Sequence, residues 1–212
     1  MLKTDKFKNV LVLCAHTDDE FGCAGTIIKL IRSGSIVNYV AFSRCEESVP
    51  EGYPSDVLET ECISAVSKMG LSKTNINIDR LKVRHFPSNR QKILEKLVRL
   101  NKDLKPDLVL LPCSKDIHQD HKTIYEEGIR AFKYSSILGY ELPQNTFSFS
   151  HAAFVRLDDK IIDQKINCMS EYESQNFRGY ANEEFIKSLA RVRGVQCGVS
   201  FAEAFEAIRI VI

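Results

Sequence analysis

Apolar runs along the chain alternate with longer segments in which apolar residues recur every three or four positions. Residues 10–14, 36–42 and 107–111 are short aliphatic runs, which are typical of strands buried on both faces. The longer segments between them have the period of amphipathic helices. Strands and helices in alternation predict an α/β fold in which a mostly parallel sheet is flanked by helices.

The pattern also predicts the remaining elements, although it weakens beyond Ser135. Helices are predicted over residues 18–33, 56–69, 91–104, 120–132, 159–172 and 182–192. Further strands are predicted over residues 76–83, around Tyr140, Phe147 and Phe154, and, as an edge strand, over residues 207–212.

Length and charge limit the kind of protein this is. A chain of 212 residues with 44% apolar residues is long enough to bury one substantial core. It contains no repeat, low-complexity tract or linker, so a single domain over residues 1–212 is predicted. Lys and Arg number 29 and Asp and Glu 28, which leaves a formal net charge of +1. This balance argues against nucleic acid or an acidic membrane as a partner.

The first residues and the cysteines indicate a compartment. Residues 1–9 are polar and lysine-rich, and the apolar run that follows, 10–15, is too short for a signal peptide or a membrane span. The seven cysteines include no Cys-x-x-Cys pair, so neither a disulfide framework nor a thiolate zinc site is expected. They are interpreted as small buried side chains in a protein of the reducing cytoplasm.

Two loops contain most of the residues that can carry chemistry. The strand over residues 10–14 is followed by residues 15–20, Ala-His-Thr-Asp-Asp-Glu, and the strand over residues 107–111 is followed by residues 112–121, which hold two more histidines. The carboxyl ends of parallel strands meet at one edge of a sheet, where ligands bind. Three of the five histidines are therefore expected at one crevice.

The residue types in these loops suit a catalytic zinc site, which needs three nitrogen or oxygen ligands and an open position for water. His16 and Asp19 are three residues apart, as are His118 and His121, so each pair can face one side of a helix start. If Asp19 binds the ion, Asp18 is free to act as general base on the activated water. Taken singly, each motif also fits helix capping or an ordinary histidine pair, whereas His85 and His151 are interpreted as structural.

The same residues resemble a known family, the PIG-L/LmbE-like zinc N-deacetylases. Residues 15–20 resemble its Ala-His-Pro-Asp-Asp-Glu motif, and residues 116–121, Asp-Ile-His-Gln-Asp-His, resemble its Asp-x-His-Pro-Asp-His motif. Weaker similarity extends over almost the whole chain, at Glu61, Met69-Gly70, residues 172–175 and residues 202–205.

The resemblance implies a Rossmann-like three-layer fold and one zinc ion held by His16, Asp19 and His121. It further implies that Asp18 is the general base and that His118 assists at the reacting carbonyl. A protonated His118 would stabilise the oxyanion, and either Asp116 or Asp120 would orient its ring.

Three positions depart from the family's pattern. Thr17 and Gln119 stand where proline is common, which removes a fixed φ angle from each loop. Leu58 stands where sugar-binding relatives often have an arginine. Arg44 or Arg90 is a candidate to replace that substrate anchor, although either also fits a solvated surface charge.

The function expected from the sequence is removal of an N-acetyl group from an N-acetylglucosamine-type amino-sugar, in a small conjugate or a sugar nucleotide. Two alternatives remain: an amidase or esterase for a non-sugar small molecule, and a non-catalytic metal- or nucleotide-binding α/β module. Gly22 and Gly25 lie inside the predicted helix rather than before it, which disfavours a phosphate-binding loop. The sequence leaves a homo-oligomer open.

Overall fold

A mostly parallel sheet forms the centre of the computed structural model, which describes residues 6–211. Its strands are β1 (Asn9–Cys14), β2 (Ile36–Ala41), β3 (Ile76–Ile78), β4 (Leu108–Pro112), β5 (Ser136–Tyr140), β6 (Ala153–Leu157) and β7 (Phe201–Arg209). Their order across the sheet is β3-β2-β1-β4-β5-β7-β6. The strands β1 to β5 pair in parallel, and β7 pairs antiparallel with β5 and β6.

Helices cover both faces of this sheet. They are α1 (Ala24–Arg32), α2 (Val57–Met69), α3 (Arg90–Leu104), α4 (Gln119–Ala131), α5 (Asp159–Met169) and α6 (Glu183–Gln196). Buried side chains of α1, α2, α5 and α6 form one apolar cluster with the sheet, whereas those of α3 and α4 form the other. The predicted three-layer α/β fold is thus confirmed. Within residues 6–211, no helix has both the length and the apolar character needed to cross a membrane.

The strand β1 lies at the centre of the core and connects both layers. Val10 and Val12 pack in the cluster with α1 and α2, while Leu11 and Leu13 pack in the cluster with α3 and α4. This alternation explains why the strand is an unbroken aliphatic run. The registers of β1 with β2 and with β4 bring the carboxyl ends of these strands to the same edge.

The predicted strand over residues 76–83 is shorter in the structure, where β3 ends at Ile78. The chain then runs irregularly along the end of β2, with hydrogen bonds from Asp79 N–H to the Ala41 carbonyl (2.8 Å) and from Leu81 N–H to the Phe42 carbonyl (3.0 Å). Arg84 adopts a φ of 69°. A positive φ lies outside the extended region of the backbone, so a strand cannot continue through this residue. The apolar pattern therefore reflects side chains buried from a loop.

The C-terminal half departs most from the prediction. The expected edge strand over residues 207–212 is wrong: β7 spans Phe201–Arg209 and lies inside the sheet, with β6 at the edge. The apolar pattern does not predict the first half of β7, because Glu203 is buried at a position where an apolar residue is expected. Phe147, expected in a strand, lies in an exposed loop, and α6 continues to Gln196.

The first predicted helix also begins differently. Residues Asp19–Gly22 form a short 3₁₀ turn, and α1 starts only at Ala24. A Cβ atom on Gly22 would lie 2.6 Å from the Glu141 carbonyl oxygen and 2.7 Å from the Tyr140 ring. This close approach fixes the turn against the end of β5.

Candidate metal centre

The loops after β1 and β4 meet because these two strands are neighbours in the sheet. The His16 Nδ1 and His121 Nε2 atoms are 2.9 Å apart although 105 positions separate the residues. His16, Asp19 and His121 are all buried. The structure thus brings together the residues that the two motifs supply, as the placement of the motifs predicts.

Three atoms of these residues surround one point. The His121 Nε2 atom lies 3.2 Å from Asp19 Oδ1, and His16 Nδ1 lies 3.7 Å from the same oxygen. Ligand atoms about 2.1 Å from a tetrahedral zinc ion are about 3.4 Å from one another. With the 2.9 Å separation of the two ring nitrogens, the set brackets this spacing, and two imidazoles with one carboxylate are ligands that zinc accepts.

The second oxygen of Asp19 fixes the orientation of its carboxylate. The His16 N–H donates to Asp19 Oδ2 at 2.8 Å, which leaves Oδ1 directed to the ring nitrogens. Burial opposes the charge of Asp19, but the charges of His121 and His16 and the hydrogen bonds with them hold the pKa of this carboxyl well below its usual range. Asp19 is therefore negatively charged over the whole physiological range of pH.

The pKa of His121 shifts in the opposite direction. Burial alone would lower it, but the charge of Asp19 and the hydrogen bond to Asp116 raise the pKa of His121 to about 10. The cluster thus stabilises positive charge between its carboxylates. A divalent cation requires the same electrostatic environment.

Asp116 and Asp120 each hold one of these rings from behind. Asp116 Oδ2 lies 2.7 Å from His121 Nδ1, and Asp120 Oδ2 lies 3.1 Å from His16 Nε2. Carboxylates that bind the outer nitrogen of a histidine fix its tautomer and make its inner nitrogen a better ligand. The expectation that one of these carboxylates orients the ring of His118 is therefore revised, because both face other histidines.

His118 is the third imidazole of the group and has a different setting. Its ligand atoms lie within 4.8 Å of those of His16 and His121, and its Nδ1 accepts the Asp120 N–H at 3.2 Å, so that it caps α4. Burial and the neighbouring charges of His121 and His16 lower the pKa of His118 to about 4. A neutral ring that accepts at Nδ1 carries its proton on Nε2, which corrects the expectation of a charged His118.

Asp18 lies beside the cluster of His16, Asp19 and His121 rather than in it. It is partly exposed and lines a cavity of about 210 Å³ that also contains His16, Asp19, His118 and His121. Burial, and next the charge of Asp19, raise the pKa of Asp18. The two neighbouring aspartates therefore differ in chemistry: Asp19 is a poor base, whereas Asp18 is a stronger base than an ordinary aspartate.

The residues proposed to replace the missing arginine do not line this cavity. Arg44 forms ion pairs with Glu46 and Glu59, and Arg90 pairs with Glu126 and Glu127. Leu58 does line the cavity. The side chain at this family position thus contributes an apolar wall.

Two other arginines line the cavity instead, Arg84 and Arg178. The Arg178 Nε atom donates to Gln175 Oε1 at 2.5 Å, and the guanidinium lies 5.8 Å from the centre of the Tyr180 ring. Arg178 lies three positions beyond Gln175, in a segment without clear periodicity. It is not among the residues predicted from the sequence, and its closeness to the weak motif at residues 172–175 is the one signal that could have indicated it. Tyr180 lines the cavity as well.

The backbone of Arg84 forms hydrogen bonds with two residues of the second histidine motif. Its N–H donates to Asp120 Oδ2 at 2.6 Å, and its carbonyl accepts from Gln119 Nε2 at 2.6 Å. Gln119 thus fixes the loop through a side-chain hydrogen bond where the family's pattern has proline. The loop beyond β3 consequently contributes to the position of His16.

A buried polar network supports the first loop from below. The Tyr39 hydroxyl donates to Glu20 Oε2 at 2.8 Å, and the Tyr172 hydroxyl contacts both Glu20 and the Thr17 carbonyl. Burial raises the pKa of Glu20 to about 8, against the hydrogen bonds from Tyr172 and Tyr39. The weak motif at residues 172–175 therefore acts on the loop through Tyr172. His151, by contrast, stacks on Phe149 at 5.4 Å.

The chain matches a protein-family model. A family model described as PIG-L, GlcNAc-PI de-N-acetylase, matches residues 11–132, which is more than half of the chain and includes both histidine motifs. Comparison with curated protein sequences gives no match.

Solved structures share the fold at low sequence identity. The N,N'-diacetylchitobiose deacetylase of Pyrococcus horikoshii has a TM-score of 0.79 and 21% identity, over 94% of this chain and 83% of that one. A conserved protein of Thermus thermophilus has a TM-score of 0.78 and 24% identity, over 97% and 96%. The 4-carboxy-2-hydroxymuconate hydratase of Pseudomonas putida has a TM-score of 0.76 and 16% identity, over 97% of this chain and 98% of that one. Since a deacetylase and a hydratase share this fold, the reaction must be argued from the site.

Proposed function

Because the chain belongs to the PIG-L family of GlcNAc-PI de-N-acetylases, we propose that it is a zinc-dependent deacetylase that removes the N-acetyl group of an N-acetylglucosamine-type amino-sugar. The observation that carries this proposal is the spacing of His16 Nδ1, His121 Nε2 and Asp19 Oδ1, at 2.9, 3.2 and 3.7 Å from one another. These residues would hold the ion. When bound, zinc supplies a Lewis acid for the amide carbonyl and lowers the pKa of water.

Asp18 is the general base in this proposal. It lines the cavity beside the three ligands, and its raised pKa suits a carboxylate that must take a proton from water and return it to the leaving amine. Asp19 is unsuited to this role because its pKa lies so low.

His118 is the donor to the oxyanion. With Nδ1 occupied by the Asp120 N–H, the neutral ring has one remaining proton, on Nε2. A fixed neutral donor stabilises developing negative charge without a change in its own protonation. Asp116 and Asp120 are positioning residues, since they act through the rings of His121 and His16.

We infer from the size of the cavity that it holds only the sugar part of the substrate. Its volume of about 210 Å³ is below that of pockets which enclose drug-sized ligands, about 300 Å³ or more. Arg178, Gln175 and Tyr180 give one wall hydrogen-bond donors and an aromatic ring, and Leu58 is apolar. One acetylated sugar unit fits this lining, with any carrier extending outward.

The test is mass spectrometry of the zinc-loaded chain incubated with N-acetylglucosaminyl compounds, sugar nucleotides, acyl-peptides and acetyl esters. The proposal expects loss of one acetyl group from amino-sugar compounds, and no such loss with His121→Ala. Turnover confined to acyl-peptides or esters would replace the amino-sugar assignment, and full turnover by His121→Ala would remove the metal from the reaction.

A further inference from the structure

A second and larger cavity, of about 490 Å³, lies between α3 and the loop after β3. We call it the α3 cavity. Phe42, directly after β2, and Asp79, directly after β3, both line it. It therefore lies at the carboxyl edge of the sheet, where ligands bind in open α/β folds.

The loop after β3 separates this cavity from the metal centre. Arg80 and Leu81 line the α3 cavity, whereas Val83 and Arg84 line the metal centre. The α3 cavity is thus a distinct space on the other side of one loop, and the deacetylase proposal assigns it no role.

The fold explains why the space exists. The strand β3 at the edge of the sheet has only three residues. Two helices, α3 and α4, cover the face of the sheet on which the cavity lies, whereas four helices cover the opposite face. The α3 cavity lies beside this short edge of the sheet. The half-buried side chains of Leu81 and Leu100 give the cavity an apolar floor, and Phe42 and Ile93 are buried beneath it.

Positive charge surrounds this floor. Four cationic side chains and two carboxylates line the cavity, which leaves an excess of two positive charges: Arg80, Lys92, Lys96, Arg99, Asp79 and Asp103. Lys96 is neutralised, because its Nζ atom lies 2.5 Å from Asp79 Oδ2. Among residues 6–211, the other three cations form no ion pair.

The cations come from two elements that converge on the same space. Lys92 and Arg99 lie seven positions apart on α3, and seven residues are close to two helical turns, so both side chains emerge on one side of the helix. Arg80 faces them from the loop after β3. Three cations without an ion pair, against the single remaining carboxylate of Asp103, surround an apolar floor and form a surface complementary to an anion that carries an apolar body.

We propose that the α3 cavity binds a small organic anion, with a phosphate- or sulfonate-type group at Arg80, Lys92 and Arg99 and an aromatic or apolar body on the floor formed by Leu81 and Leu100. A second copy of this chain is disfavoured as occupant, because a two-fold interface would set the same three cations against each other. The ligand must supply the negative charge.

The test uses 1-naphthalenesulfonate as probe and isothermal titration calorimetry on the zinc-loaded chain. We expect saturable binding of one probe per chain that weakens with added salt, as charge-driven contacts do. Lys92→Gln combined with Arg99→Gln should reduce the affinity about tenfold or more. Lys102→Gln combined with Lys133→Gln removes the same charge from exposed sites outside the cavity and should leave binding unchanged.

Two further arms make the result decisive. Asp19→Ala should bind the probe as the unaltered chain does, whereas loss of binding in that variant would place the probe at the metal centre and overturn the inference. Equal affinity for neutral 1-naphthol or for inorganic sulfate would also overturn it, since the site would then recognise only one part of the ligand. An equal loss in both double variants would overturn it too, because net charge alone would then attract the probe.

Discussion

Asp18 and Asp19 are the same residue type at adjacent positions, yet the protein shifts their pKa values in opposite directions. The sequence predicted different roles for them because neighbouring side chains cannot easily face one ion. It could not predict the cause, which is that Asp19 contacts both His16 of its own loop and His121 from a distant part of the chain. The neutral state of His118 likewise depends on burial and neighbours that the motif does not encode.

Asp120→Asn tests the support of His16. The amide keeps the shape of the carboxylate but loses its charge, so the His16 ring should be less firmly oriented and less basic. Zinc affinity should fall about 10- to 100-fold. Competition with a fluorescent chelator measures this, with Asp103→Asn, an exposed carboxyl, as control. Unchanged affinity in Asp120→Asn would contradict the role given to its contact with His16.

Arg178→Gln tests which arginine contacts the substrate. Arg178 lines the cavity, whereas Arg44 is engaged with Glu46 and Glu59. Arg178→Gln should raise KM about tenfold or more, as expected for the loss of one charged hydrogen bond of about 1.5–3 kcal/mol, while kcat changes little. Arg44→Gln should leave KM near its original value. Steady-state kinetics of deacetylation decide between them, and a larger effect on KM from Arg44→Gln would restore the sequence-based assignment.

At the scale of elements, the sequence predicts best those strands and helices whose buried positions are all apolar and regularly spaced. The strands β1 and β4 and the helix α4 follow the apolar pattern closely, and the loops that follow the two strands carry the motifs. The strand β7 was misplaced because Glu203 interrupts its apolar side. This glutamate is buried for a reason that lies elsewhere in the chain: it accepts hydrogen bonds from Gly25 N–H and Thr26 N–H at the start of α1.

Glu203→Ala should destabilise the protein strongly. Glu203 also pairs with Lys165 at 2.7 Å, and only 6% of each side chain is exposed. Its removal leaves the buried Lys165 without a counter-charge, with the Phe21 carbonyl as its acceptor, and the start of α1 without acceptors, a loss of roughly 3–5 kcal/mol. Urea denaturation measures the change in unfolding free energy. Glu183→Ala, which breaks an exposed pair with Lys187, is the matched control, and a similar effect from both variants would show that the buried pair has no special weight.

At the scale of the whole molecule, the three-layer fold and the family were predicted correctly, because β1 and β4 and their motifs are local features. The choice of arginine and the α3 cavity could not be predicted, since they depend on how loops without periodicity pack. Arg178, Arg84 and Leu58 come from three separate segments and become neighbours only through the fold.

Zinc should stabilise the folded chain, because its ligands are assembled only in that state. With free zinc at 100 times its dissociation constant, the unfolding free energy should rise by about 2.7 kcal/mol. Thermal unfolding with zinc and with a chelator measures this shift. His121→Ala should show a much smaller difference between the two conditions, and a full shift in that variant would place the stabilising ion elsewhere.

The central claim assigns metal binding to Asp19 and proton transfer to Asp18. The most direct measurement is zinc content together with deacetylation rate for Asp18→Asn and Asp19→Ala after saturating zinc. Asp18→Asn should keep one zinc per chain and lose about 10²- to 10⁴-fold in rate, whereas Asp19→Ala should lose the ion and, with it, activity. Metal loss confined to Asp18→Asn, or full activity of that variant with added zinc, would contradict the account.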